Sequence, residues 1–149
     1  MSKLVDIERR KKFDLIIGNL PYSKKVNGVH VNLWKKILNI SLGLLKPSGT
    51  MGMIHPGNWR GGGTTVQKLF KCLTKEHQMH YLEMHNIADG KKAFNADTSF
   101  DWYILENVEQ HTTTRVIDND GVETIIDFND RKFLASAMID EIDALVVKS

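Results

Sequence analysis

The sequence has almost no cysteine. Cys72 stands alone among 149 residues, so no disulfide can brace the fold, and a reducing compartment such as the cytoplasm suits the chain. No apolar run approaches the roughly 20 residues that a membrane-spanning helix needs. The segment from Met1 to Lys12 is charged and lacks the apolar core of a signal peptide, so export is not expected. Internal repeats and low-complexity tracts are missing too. A closed set of metal ligands is also missing, because His77, His80 and His85 straddle a helical pattern and a strand pattern, with Cys72 apart from them. These exclusions leave a soluble globular protein of one domain, and a hydrophobic fraction of 42% is enough to build its core. The net charge is only +2, although basic residues cluster at Arg9 to Lys12, Lys24-Lys25, Lys35-Lys36 and Lys91-Lys92. That balance permits nucleic-acid binding without demanding it, and a solvated face is the plainer account of any one pair.

The chain is organised around Phe13 to Tyr22. An apolar run with the pattern of a buried strand stops at Gly18, and Asn19, Leu20, Pro21 and Tyr22 follow at its carboxyl end. Open α/β sheets place their ligands there. Asn offers donors and an acceptor, Pro fixes φ, and Tyr offers a flat face, a set suited to a planar heterocycle with an exocyclic amine.

Ser23 to His30, with its Asn27-Gly28 turn signal, reads as a mobile loop. Helical spacing from Val31 ends at Lys46-Pro47-Ser48-Gly49. Thr50 to His55 reads as a strand, Pro56 to Gly63 as a flexible loop, and a helix is expected from Thr64 or Thr65, capped by their hydroxyls. A strand is expected at His80 to His85, a polar stretch at Ala88 to Ser99, and another strand at Phe100 to Val108. Arg115 to Ile117 and Glu123 to Phe128 read as a hairpin around Asp118-Asn119-Asp120-Gly121. Arg131 to Val147 has the spacing of an amphipathic helix. This order predicts an α/β fold whose sheet starts parallel and ends antiparallel.

Asp14 to Tyr22, as DLIIGNLPY, resembles the catalytic motif of the methyltransferases that act on adenine N6. The continuation LWKKILNISLGLLKPSGTMGMIHPGNW and the stretch EMHNIADGKKAFNADTSFDWYILEN are similar to the following regions of the adenine DNA methyltransferases of restriction-modification systems. The resemblance covers roughly residues 13 to 107. Leu20 stands where Pro is usual in the DNA enzymes, and Asn-Leu-Pro-Tyr also resembles the motif of adenine dimethyltransferases of ribosomal RNA. The downstream match favours DNA.

The resemblance implies a Rossmann-like sheet that uses S-adenosylmethionine. Asn19 and the Leu20 carbonyl would accept the two N–H groups of a flipped adenine, Pro21 would hold the turn, and Tyr22 would stack on the base. Phe94 would pack on the base's other side or edge, and Trp59, in a polar loop, is a candidate nucleic-acid contact. The glycine-rich turn and the acidic residue that bind the cofactor in this family would lie upstream of Phe13, and Gly61-Gly62-Gly63 follows the wrong strand to replace them. The chain therefore reads as a lead-in (residues 1–12), a partial methyltransferase domain holding strands four to seven (13–130) and a terminal helix (131–149). A fragment of this kind would be inactive alone. The strand from Asp14 to Gly18 would be an open edge, expected to pair with a second copy, to be covered by Met1 to Lys12 or the terminal helix, or to be completed by a separate polypeptide. A second reading is a non-catalytic nucleic-acid-binding or assembly module, and a third an RNA adenine methyltransferase.

Overall fold

Alternation of apolar residues along the strands and two amphipathic helical stretches build a sheet with helices against one face. The computed structural model describes residues 11–21, 24–26 and 29–146. In chain order these form β1 (Phe13–Asn19), β2 (Lys24–Val26), β3 (Val29–Val31), α1 (Leu33–Leu44), β4 (Leu45–Pro56), α2 (Thr64–Thr74), β5 (Gln78–His85), α3 (Ile87–Phe94), β6 (Phe100–Glu106), β7 (Thr114–Ile117), β8 (Glu123–Ile126) and α4 (Ile139–Val146). Six strands make one sheet in the order β1-β4-β6-β5-β7-β8, and β2 and β3 pair separately. β1 and β4 are parallel, β6 runs antiparallel to β4 and β5, β5 and β7 are parallel, and β8 returns antiparallel. This is the expected α/β class, a partial Rossmann-like sheet of mixed direction. No helix among the described residues is long and apolar enough to cross a membrane.

Register shows how the strands divide their side chains. Gly18, Met53, Tyr103, Leu82 and Val116 lie opposite one another in one row, and Ile17, Gly52, Ile104, Tyr81 and Arg115 in the next. Because strand residues alternate between faces, the first row points to the helices and the second away from them. Trp34 and Leu38 of α1 and Phe70 and Leu73 of α2 are buried in one core with Met51, Met53, Leu82, Tyr103, Leu105 and Val116. Burying each such side chain contributes about 1.5–3 kcal/mol. On the other face Leu15 is 57% and Ile17 76% exposed. Among the described residues β1 is an edge, hydrogen-bonded to β4 alone.

Several elements depart from the sequence expectation. Lys24–Val26 and Val29–Val31 are paired strands, not a loop, while Asn27 and Gly28 lie outside the described residues. α1 passes directly into β4, and the Lys46 to Gly49 turn is an excursion within that strand, opposite the single residue Asp14. Ser48 (φ 57°) donates its N–H to the Asn107 carbonyl at 3.0 Å, and Asn107 returns one to Gly49 at 2.9 Å, which satisfies the excursion's backbone. Gly63, with no side-chain bond, caps α2 in place of a threonine. Residues 87–94 are helical where a polar connection was expected, secured by a capping box between Asn86 and Asp89.

The terminal helix is also shorter than expected. It spans Ile139–Val146, because residues 131–138 give their backbone to other partners: Leu134 N–H donates to the Arg60 carbonyl and Asn119 N–H to the Ser136 carbonyl. Met138, Ile139 and Glu141 line a hollow with Val122 and Thr124 of the β7–β8 hairpin. The helix thus lies at the far edge of the sheet and does not cover β1. Residues 1–10, the other expected cover, lie outside the described residues.

Candidate active site

The carboxyl ends of β1, β4 and β5 meet at one rim of the sheet, where β6 begins. Asn19 ends β1 opposite Ile54. The next residue, Leu20, donates its N–H to the Ile54 carbonyl at 2.9 Å and buries its side chain to 6% exposure. This extra bond requires an amide hydrogen, which a proline at that position would lack. Gly18 leaves room for the turn, since a Cβ there would lie 3.1 Å from the Met53 sulfur and 3.4 Å from a Leu20 methyl. The Asn19 side chain is exposed and makes no hydrogen bond to a described residue. Pro21 is exposed beside it, and Tyr22 lies outside the described residues.

Behind Asn19 the rim is braced by buried polar groups. His55 stacks on Trp34 with ring centroids 4.4 Å apart. Its Nδ1 lies 3.0 Å from the Pro56 carbonyl, which can only accept, so Nδ1 carries the proton and Nε2 accepts from the Tyr103 hydroxyl at 3.0 Å. Burial holds the imidazole neutral and lowers its pKa to about 4. The loop after β4 wraps around Asp101, whose carboxylate accepts from Trp59 Nε1 (2.7 Å), Arg60 Nε (2.7 Å) and Arg60 Nη2 (3.2 Å). Burial pushes the Asp101 carboxyl up, and the Arg60 guanidinium and the Trp59 bond pull it back towards the charged form. A Cβ on Gly57 would stand 2.8 Å from Arg60 Nη2 and 2.9 Å from Asp101 Oδ1, so only glycine fits inside this wrap. Arg60 Nη1 also donates to Ser136 Oγ at 3.0 Å and ties in the chain before α4.

Phe94 closes α3, is 38% exposed, and meets Phe100 edge-on at 4.9 Å. Phe100 pairs with Pro56 and stacks on His85 at 4.4 Å. Phe100, opposite Pro56 at the start of β6, stands two strands from β1 at the same rim, and Phe94 packs against it. Trp59 requires a correction as a nucleic-acid contact: it is fully buried, packed on Phe70 and Tyr103, and its one donor is spent on Asp101. No local signal marked Asp101 or His55 as rim residues, because Tyr103 lies 48 residues from His55, and Trp59 and Arg60 lie 42 and 41 residues from Asp101. The three histidines are scattered: His77 bonds the Cys72 carbonyl, His80 pairs with Glu106, and His85 with Glu83.

A hollow of about 430 Å³ opens beside Asn19 on the uncovered face, between Leu15, Ile17, Ile54, Trp102 and Ile104 and over Gly52. No charged side chain lines it. S-adenosylmethionine carries a sulfonium, a ribose and an amino-acid head group, and this apolar donor-poor hollow does not fit them. This hollow is not the cofactor's cradle.

The family model of the Eco57I restriction-modification methylase matches residues 1–94 of this chain. A comparison with curated proteins gives no match. Among solved structures, the chain is similar to a modification subunit of a putative type I restriction enzyme from Vibrio vulnificus YJ016, with a TM-score of 0.60 and 13% identity over 97% of this chain and 32% of that one. It is also similar to the EcoKI M protein, a type I restriction enzyme component (TM-score 0.59, 14% identity, 76% of this chain and 26% of that chain). A third similarity is to a putative class I S-adenosylmethionine-dependent methyltransferase from Listeria monocytogenes (TM-score 0.53, 12% identity, 94% and 42%). At these identities the structures share the fold. The chain spans less than half the length of each.

Proposed function

We propose a function from one premise: this chain belongs to the Eco57I restriction-modification methylase family. Its part in that chemistry is to receive the target adenine of DNA for methylation at N6. The cofactor-binding half of such an enzyme, which would hold S-adenosylmethionine and supply the methyl group, lies outside the described residues. The observation that carries this reading is the exposed Asn19 carboxamide at the end of β1, with no hydrogen bond to a described residue, beside the Leu20 N–H bond to Ile54. In the proposed complex the Asn19 oxygen and the Leu20 carbonyl accept the two N–H groups of the exocyclic amine, whose lone pair is thereby drawn out of conjugation. Pro21 stiffens the turn. Tyr22 stacks on the flipped base, worth roughly 1–3 kcal/mol, and Phe94 approaches from across the rim. Membership of a restriction-modification family supports DNA over RNA as the substrate.

The same proposal makes the chain inactive by itself, with the β1 edge completed by another polypeptide or a second copy. The EcoKI and Vibrio vulnificus neighbours are a component and a subunit of restriction enzymes, which supports assembly. A second reading, a nucleic-acid-binding or assembly module without catalysis, is favoured by one observation, the apolar outer edge of β1, which pairs with no strand among the described residues except β4.

Two measurements test this. Calorimetric titration of the 149-residue chain with S-adenosylmethionine is expected to give no heat. Saturation-transfer NMR is expected to show 2′-deoxyadenosine binding in preference to 2′-deoxyinosine, which lacks the amine, with the preference gone in Asn19→Ala. Equal binding of the two nucleosides by the unmodified chain would sink the adenine assignment.

A further inference from the structure

The net charge of +2 conceals a division along the chain. Residues 15–75 contain nine lysines and arginines and no aspartate or glutamate, whereas residues 76–149 contain six against fifteen. Such asymmetry is an electrostatic footprint for a polyanion. Four of the nine are already engaged: Arg60 with Asp101, Lys46 with Asp14, Lys71 with Glu76, and Lys75 with the Asn129 carbonyl. Lys35, Lys36 and Lys68 have no ion-pair partner among the described residues, Lys35 resting its ammonium over the Trp34 ring at 5.4 Å.

Topology brings these three to the rim that holds Asn19. α1 ends where β4 starts, and α2 ends just before β5 starts, so both helices begin at the carboxyl end of the sheet. Lys35 and Lys36 lie in the opening of α1, and Thr65 and Lys68 in the first two turns of α2. The two helices enclose a groove of about 300 Å³ lined near the rim by Lys35, Asn39, Thr65 and Lys68, with Cys72 and Glu76 at its far end.

The helix starts are built against their own stability. A helix N-terminus carries partial positive charge and is stabilised by acidic residues and a capping side chain. Neither α1 nor α2 has an acid in its first turn, and neither Asn32 nor Gly63 makes a capping side-chain bond. Lys35 and Lys36 stand in the first turn of α1 instead, and Lys68 follows in the second turn of α2. α3, in the acidic part of the chain, has the full arrangement, with Asp89 in its first turn and a reciprocal capping box with Asn86. An external anion would supply what α1 and α2 lack.

We propose that the rim-side face of α1 and α2 is a track for the phosphate backbone of duplex DNA, with Lys35, Lys36 and Lys68 on phosphates and Asn39 and Thr65 donating hydrogen bonds within the groove. The proposal rests on the DNA part of the function proposed above and is independent of methyl transfer. A membrane surface fits less well, since the groove between these lysines is lined by Asn39 and Thr65, with Leu69 its one aliphatic residue and no aromatic.

The test is fluorescence anisotropy of a labelled DNA duplex of arbitrary sequence with the full chain, across ~50–200 mM salt, the range over which phosphate contacts change affinity most. The Lys35→Glu/Lys68→Glu variant is expected to bind at least ~10-fold more weakly at ~0.1 M salt and to lose about 2 from the slope of log affinity against log salt. Its thermal midpoint should be equal or higher, because glutamate near these helix starts favours the dipole; this separates lost binding from lost folding. Lys91→Glu/Lys92→Glu, in the acidic part, should leave binding unchanged. Unchanged affinity and slope in the α1–α2 variant overturns the track, as does binding by the wild-type chain to phosphatidylserine vesicles but not to the duplex. Should the track variant lose duplex binding while deoxyadenosine and deoxyinosine bind equally, the track stands and the adenine pocket falls. The reverse pattern would fell the track alone.

Discussion

Gly18, Met53, Tyr103, Leu82 and Val116 form a row on one face of the sheet, and Ile17, Gly52, Ile104, Tyr81 and Arg115 form the adjacent row on the other. One residue along each strand separates a packed core from an uncovered surface. On the packed face an aromatic chain runs through Trp34, His55, Tyr103, Trp59 and Phe70, and even its ion pair, Arg60 with Asp101, is 5% and 0% exposed. On the uncovered face the corresponding pair, Arg115 with Glu123, is 54% and 47% exposed, and Ile17 stands 76% exposed at the edge. The same strands therefore carry both the stability of the chain and, at β1, its least satisfied surface. A parallel pair such as β1 and β4 is usually sheltered on both faces, and the uncovered row is the surface that the proposed assembly would shelter.

The contrast makes measurable claims, the largest on the packed face. Asp101→Ala strands the Arg60 guanidinium in the core and is expected to cost about 3–5 kcal/mol in urea unfolding, whereas Glu123→Ala should leave the urea midpoint essentially unchanged. Equal costs would erase the distinction between the faces. Trp34→Ala should likewise cost about 3–5 kcal/mol, against about 0.5 kcal/mol or less for Ile17→Ser. A large penalty at Ile17 would mean that something already covers it.

The next effect is in pH. His55 has its pKa lowered to about 4 by burial, from 6.5 when unfolded. Between those values the unfolded chain binds the extra proton, so the stability is fully present above pH 6.5 and is lost as pH falls towards 4. The loss should reach about 3 kcal/mol, and His55→Gln should flatten that slope. A smaller effect has the opposite sign: Gly52→Val fills the hollow on the uncovered face, where a Cβ meets nothing closer than the Tyr103 carbonyl at 4.0 Å. It is expected to raise stability by about 0.5–1 kcal/mol, and a destabilised variant would show that the hollow is not vacant.

The sequence made legible what local chemistry decides. The run ending at Gly18 is a strand, the hairpin signal at Asp118 to Gly121 joins β7 to β8, and the spacing after Val31 is a helix. α3 was hidden by composition. Gly90 is unfavourable inside a helix, yet a side chain there would bring its Cβ to 1.9 Å from the Thr98 carbonyl, so close packing overrides propensity. Its one readable signal was the Asn86–Asp89 capping spacing. The apolar periodicity of residues 131–138 failed to make a helix because distant backbone groups at Arg60 and Asn119 bind that segment. Trp59 looked like a loop aromatic only because its acceptor, Asp101, is 42 residues away. At the candidate site Asn19, Leu20 and Pro21 were readable as a unit. The buried brace behind them was not, since the side-chain bonds of His55 to Tyr103 and of Asp101 to Trp59 and Arg60 join residues 41 to 48 positions apart.

The three tryptophans fall in three different settings, which gives the chain its own optical readout. Trp34 lies in the core at 1% exposure, Trp59 under the rim at 0%, and Trp102 half-buried on the uncovered face beside the hollow. An unlabelled sample mixed with a polypeptide that shields the β1–β4–β6 surface will shift Trp102 emission to shorter wavelength while the other two indoles stay spectrally silent. With Trp34 and Trp59 replaced by phenylalanine, one emission spectrum distinguishes a shielded sheet from a bare one.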